Sequence, residues 1–133
     1  MNRLKGHIRE IEVAGNLSRV TVELPTGIRV NAIVIETPET ASYLELNRTI
    51  HVLFKETEVI LAKDPQVSIS LNNRISGEIT SLKTGSLFCE VALQTSAGAI
   101  QALIGKDTLD KWPLKAGETV TAMVKMNEIM LQE

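Results

Sequence analysis

The feature that most constrains this chain is an internal repeat at an offset of about 70 residues. Gly6-His7-Ile8 returns as Gly77-Glu78-Ile79, Gly15 as Gly85, and Val22 with Leu24 as Val91 with Leu93. From Ala32 onward the offset holds without a gap: Ala32 matches Ala102, Leu44 matches Leu114 and Thr49 matches Thr119. Lys55-Glu56-Thr57-Glu58-Val59-Ile60-Leu61 matches Lys125-Met126-Asn127-Glu128-Ile129-Met130-Leu131, with the lysine, the second glutamate and the leucine identical. A repeat of this length means two copies of a small domain, not a solenoid of short units. The polar stretch Ala62-Lys63-Asp64-Pro65-Gln66 sets the boundary, with a first domain over residues 1–63 and a second over 64–133. The linker is short, so the halves should pack closely. Domains of roughly 65 residues are marginal alone, and intimate pairing or oligomerisation would supply the missing burial.

Within each copy the periodicity is that of β-structure. Val20, Val22 and Leu24 alternate with Arg19, Thr21 and Glu23, which leaves one face dry. Ile28, Val30, Ala32 and Val34 form a second row, and the opposite row turns apolar at Ile33 and Ile35. Gly15-Asn16 and Thr26-Gly27 supply turns between the runs. A helical turn is expected over Thr37 to Tyr43: Thr37 can cap it, Pro38 suits its first position and Glu39 favours the dipole. Strands follow at Thr49 to Lys55 and Val59 to Ala62. The expected fold is all-β: two tandem OB-like five-stranded barrels, each with a short helical turn.

Composition narrows the function. The net charge is −2 and aromatics are 3% of the chain, which weighs against a basic phosphate-gripping surface and against a base-stacking platform. No nucleic-acid partner is therefore expected. One cysteine excludes an internal disulfide and points to a reducing, cytoplasmic setting. No apolar run approaches the roughly 20 residues that span a bilayer, and the start Met1-Asn2-Arg3-Leu4-Lys5-Gly6-His7 is not a signal peptide, so no membrane role is expected. His7 and His51 fall inside expected strands, where a surface position is the plainer reading than catalysis. Cys89 shares a face with Val91 and Leu93 and reads as a small buried hydrophobe. A Cys/His zinc site cannot be assembled within one protomer, and no metal is expected by direct protein ligation. Phosphate-loop, dinucleotide and nucleophile-elbow motifs are absent, so an enzyme is not expected.

The second half opens Ser70-Leu71-Asn72-Asn73-Arg74-Ile75-Ser76-Gly77-Glu78-Ile79 and closes Val120-Thr121-Ala122-Met123-Val124-Lys125-Met126-Asn127-Glu128-Ile129. This frame resembles the Mop domain, also called the transport-associated OB (TOBE) domain, and the tandem resembles a di-Mop molbindin. The resemblance implies a cytoplasmic protein that binds molybdate or tungstate at interfaces between subunits, for storage or homeostasis. It implies ligation by a serine, by backbone amides near a lysine and by that lysine. Carried over, it implicates Ser70, Lys125 and Lys55. Asn72 stands where the family has arginine, Gly105 and Thr108 match positions between the third strand and the helical turn, and Thr40 is a looser first-half candidate. The family's small residue after the lysine is Glu56 in one half and Met126 in the other. By the same analogy a free-standing di-Mop protein is a trimer and the regulator type a dimer. The Met1 start, with neither helix-turn-helix nor ATP-binding domain alongside, suits the free-standing form.

Such a site is physically reasonable. A doubly charged tetrahedral oxyanion offers only acceptors, so the protein must supply amides, hydroxyls, an ammonium and a carboxamide. At roughly 1.5–3 kcal/mol per charged hydrogen bond, a few donors reach the about −8 kcal/mol of micromolar binding. Plainer readings stand beside each candidate: Lys55 and Lys125 as solvated lysines next to Glu58 and Glu128, Ser70 as linker, Asn72 or Asn73 as a turn cap. The alternative function is a degenerate Mop/TOBE module that serves protein interaction or regulation without binding an anion.

Overall fold

A computed structural model describes residues 1–133. The first half contributes β1 (Asn2–Ala14), β2 (Leu17–Glu23), β3 (Arg29–Val34), β4 (Thr49–Phe54) and β5 (Ile60–Ala62). The second contributes β6 (Asn73–Thr84), β7 (Phe88–Thr95), β8 (Gly98–Gly105), helix α1 (Lys106–Lys111), β9 (Thr119–Val124) and β10 (Met130–Gln132). All pairings are antiparallel and make two five-stranded sheets, as the period-two rows require. Their orders are β10-β4-β1-β2-β3 and β5-β9-β6-β7-β8. In the first sheet β10 also touches β3, which gives the OB-like curl.

The last strand of each half is exchanged. β5 leaves the first half and pairs with β9, with Leu61 opposite Ala122, while β10 pairs with β4, with Leu131 opposite Val52. The exchange follows one-turn 3-10 segments at Glu56–Glu58 and Met126–Glu128, which lead the chain across to the other half. Sheet membership therefore cuts across the sequence division at 63/64. One cluster of 25 buried residues runs through both halves, from Leu4 and Ile8 to Val124 and Ile129. This single core is how two units of marginal size share their burial.

The repeated glycines mark close approaches. A Cβ on Gly6 would lie 2.5 Å from the Glu23 carbonyl oxygen, and one on Gly77 would lie 2.7 Å from Thr95 Cγ2. Both strands then bulge at the same place, between Ile8 and Glu10 and between Ile79 and Ser81.

The helical turn forms in one half only. The second half has α1, but Thr37 to Tyr43 forms successive turns without helix. The reason is local: Thr40 Oγ1 accepts from the Thr37 amide at 2.9 Å and donates to the Thr37 carbonyl at 3.2 Å. Hydroxyls that bond nearby backbone compete with helix propagation. Tyr43 is drawn aside as well, donating to Glu36 Oε1 at 2.5 Å.

Candidate functional site

Asn73 begins β6 opposite Val124, so the next residues outward, Asn72 and Lys125, adjoin at one strand end, with Ser70 two positions upstream. Ser70, Asn72 and Lys125 are exposed, whereas Leu71 and Asn73 are buried. Lys125 leads into its 3-10 turn, its carbonyl accepting from the Glu128 amide at 2.9 Å. Its ammonium has no carboxylate within 4.0 Å, and Glu128 instead meets the Asn127 amide at 3.5 Å. The strand end thus offers an ammonium, a carboxamide and a hydroxyl, all uncommitted donors.

Two residues that sequence reasoning left outside the site hold this end in place. Asn73 caps no turn. Its Nδ2 donates to the Asn31 carbonyl at 2.9 Å and its Oδ1 accepts from the Asn31 amide at 2.7 Å. The side chain thereby pairs with the edge strand β3 as a further strand would. Asn2 does the same to Gln101 of β8, at 2.9 and 2.8 Å. The signal was present in the sequence: both asparagines precede the repeated glycine by four residues. Arg74 sets the loop before the strand. Its Nε donates to the Leu71 carbonyl at 2.8 Å, Nη1 to Pro65 at 2.9 Å and Nη2 to Ile69 at 3.1 Å. Beneath that loop lies an open cavity of about 510 Å³, lined by Arg74, Ser76, Thr121 and residues 65–69.

The first half repeats the arrangement with differences. Asn2 pairs with Phe54, which places Met1 beside Lys55. The Met1 ammonium bonds the Glu56 carboxylate, and that hydrogen bond holds Glu56 below the usual carboxylate range. Lys55, like Lys125, has no carboxylate within 4.0 Å. The turn after Lys55 packs on β8 and the turn after Lys125 packs on β3, so each lysine end faces the other half.

The remaining candidates lie apart within one chain. Gly105 pairs with Phe88 at the far end of β8. It stands four residues from Gln101, roughly 13 Å along a strand. Thr108 lies in α1, where its amide is taken by Asp107 Oδ1 at 2.9 Å. The Thr40 hydroxyl is occupied by Thr37. No group of three or more His, Cys, Asp or Glu residues is placed to hold a metal ion. No helix is long and apolar enough to cross a membrane.

Comparison with known proteins bears on the family and on the fold. The TOBE domain family model matches residues 69–131. The molybdenum-pterin-binding proteins 1 and 2 of Clostridium pasteurianum are 32% and 33% identical over 66 residues, which is 49% of this chain and 97% of each relative. Among solved structures, the cytoplasmic molybdate-binding protein ModG, with molybdate bound, superposes with a TM-score of 0.89 at 23% identity. That superposition covers 98% of this chain and 94% of ModG, and it establishes the tandem architecture. By its sequence relatives and its TOBE domain, the chain belongs to the Mop family of molybdenum-pterin-binding proteins.

Proposed function

We propose that this protein is a non-catalytic oxyanion-binding protein that takes up molybdate or tungstate in the cytoplasm. The observation that carries the proposal is Lys125: an ammonium free of any carboxylate, beside Asn72 and downstream of Ser70, on a strand end clamped by Asn73. The family relationship supports the ligand, since the relatives are named for molybdenum and ModG for molybdate. Two or three donors from one chain leave much of a tetrahedral anion open. Completion by a second copy, in a homo-oligomer of trimeric type, brings the further donors, with Lys55, Gly105 and Thr108 as the residues a neighbour would present, while Thr40, whose hydroxyl already donates to Thr37, is not among them. A few placed donors act locally, so a net charge of −2 is no obstacle.

Isothermal titration of the assembled protein with molybdate, tungstate and sulfate tests this. Binding of the first two is expected, and Lys125→Ala is expected to weaken it at least tenfold, about 1.4 kcal/mol, with the fold intact. No heat at millimolar oxyanion would refute the proposal. A second reading, an interaction module without anion binding, is favoured by Asn72, Glu56 and Met126 standing where the family has arginine and small residues. A single stoichiometric protein partner together with silent titrations would decide for it.

A further inference from the structure

The outward face of β1 carries Arg3, Lys5 and His7 in one row, because Asn2, Leu4, Gly6 and Ile8 are the buried positions. Across the ladder Lys5 lies opposite His51 and Arg3 opposite Leu53 of β4. Arg3 and Lys5 are exposed, and neither has a carboxylate within 4.0 Å. The polar neighbour of the Arg3 guanidinium is His51 Nδ1 at 3.5 Å. The nearest acidic residue in the register is Glu23, opposite His7, and it is already shared by Arg9 at 3.7 Å and Arg29 at 3.5 Å. On the other flank His51 pairs with the neutral Gln132 of β10. This face is a strip of unbalanced positive charge on a chain whose net charge is −2.

The internal repeat shows what such a face can hold. Arg3, Lys5 and His51 correspond to Arg74, Ser76 and Thr121, and both sets pair across the same ladder positions. On the second half, the Arg74 guanidinium is filled by three main-chain carbonyls of the loop 65–71, which roofs the sheet. On the first half the same guanidinium is open, and lysine and histidine replace serine and threonine around it.

We propose that the Arg3–Lys5–His51 face docks an extended acidic polypeptide segment. A carboxylate of the segment takes the place on Arg3 that loop carbonyls take on Arg74, and further carboxylates meet Lys5 and the histidines. Alternate residues of β1 are roughly 6.6–6.8 Å apart, the spacing of alternate side chains in an extended peptide. Single-stranded nucleic acid is the poorer fit, because the outward positions of β1 and β4 include no Phe, Tyr or Trp for base stacking.

Fluorescence anisotropy at low salt tests the proposal on the full chain. The probes are labelled ten-residue peptides alternating Thr with Glu, Gln or Lys, and a ten-nucleotide oligothymidylate. The Glu peptide is expected to bind at least tenfold more tightly than the Gln or Lys peptide, and to weaken as salt rises. The double variant Arg3→Gln, Lys5→Gln should lose at least tenfold in that affinity while its melting and its oxyanion titration stay unchanged. Lys5→Gln alone serves if the double variant melts early, with a several-fold loss expected. Absence of Glu-peptide binding, equal binding by the variants, or tighter binding of oligothymidylate would overturn the proposal. So would a fall in assembly mass in the double variant, which would assign the face to contact between copies.

Discussion

Replacing Asn73 by alanine removes one carboxamide and leaves two backbone groups of another strand without partners. Asn73 is 3% exposed, and it meets the Asn31 amide and carbonyl at 2.7 and 2.9 Å. An orphaned buried polar group costs about 1–3 kcal/mol. Asn31 is half-buried, so water recovers part of each loss. The expected destabilisation is therefore about 2–4 kcal/mol for the pair, against a total of about 5–15 kcal/mol for a folded protein. Urea unfolding at one fixed protein concentration, followed by circular dichroism and Trp112 fluorescence, measures it. Asn72→Ala is the control: one position away but exposed, it should stay within about 0.5 kcal/mol and change anion affinity instead. Asn73→Asp sharpens the test. Its carboxylate keeps the Asn31 amide but opposes the Asn31 carbonyl, so the protonated acid is favoured and the variant should gain stability as pH falls toward 4. If Asn73→Ala unfolds with Asn72→Ala and wild type, the clamp does not hold β3 and the reasoning fails.

Three further outcomes follow from the same structure. Gly77→Ala drives a Cβ to 2.7 Å from Thr95 Cγ2 and 2.9 Å from the Gln94 carbonyl oxygen. Because backbone cannot yield as a side chain can, the unfolding free energy from denaturant titration should fall by about 1–3 kcal/mol or more, and an unchanged midpoint would contradict the close approach. Arg74→Met removes three bonds to the loop while keeping the aliphatic stem. Hydrogen exchange over residues 65–71 should speed at least tenfold, with β6 protection little changed; equal rates would show that the loop holds itself. Burial first, then the hydrogen bond to Glu36, raises the Tyr43 phenol above its usual range. That contribution is full below the ordinary tyrosine pKa of about 10 and is lost as pH rises through the folded value. Tyr43→Phe should therefore flatten the decline in melting temperature between pH 9 and about 12, and parallel curves would remove Tyr43 from the linkage.

Much of the architecture was legible along the chain. Period-two rows such as Val20-Val22-Leu24 place strands because one-sided burial leaves that imprint wherever a sheet has a dry face. Gly6 and Gly77 were legible as repeat partners, but the reason for them, a neighbouring backbone within 3 Å of where a Cβ would lie, is visible only in the structure. The missing helix at Thr37 to Tyr43 was less legible, since Pro38 and a capping threonine favour a helix start while the side-chain bonds of Thr40 oppose its continuation. At the candidate site, the motif drew attention to Asn72, yet its neighbour Asn73 carries the structural bonds. Exposure separates the two, and adjacent identical residues carry no exposure label in sequence.

By itself, then, the sequence determined that there are two like units, where their strands lie and which residues face inward, since each follows from local periodicity and from the repeat. Only the tertiary structure decided which terminal strand joins which sheet. β5 and β10 both begin with two apolar residues, Ile60-Leu61 and Met130-Leu131, and β4 and β9 offer them equivalent edges. Self-pairing and exchange satisfy the same hydrogen bonds and bury similar side chains. What selects exchange is three-dimensional: the 3-10 turns carry the chain across onto β8 and β3, and the asparagine clamps hold those edges against the opposite half.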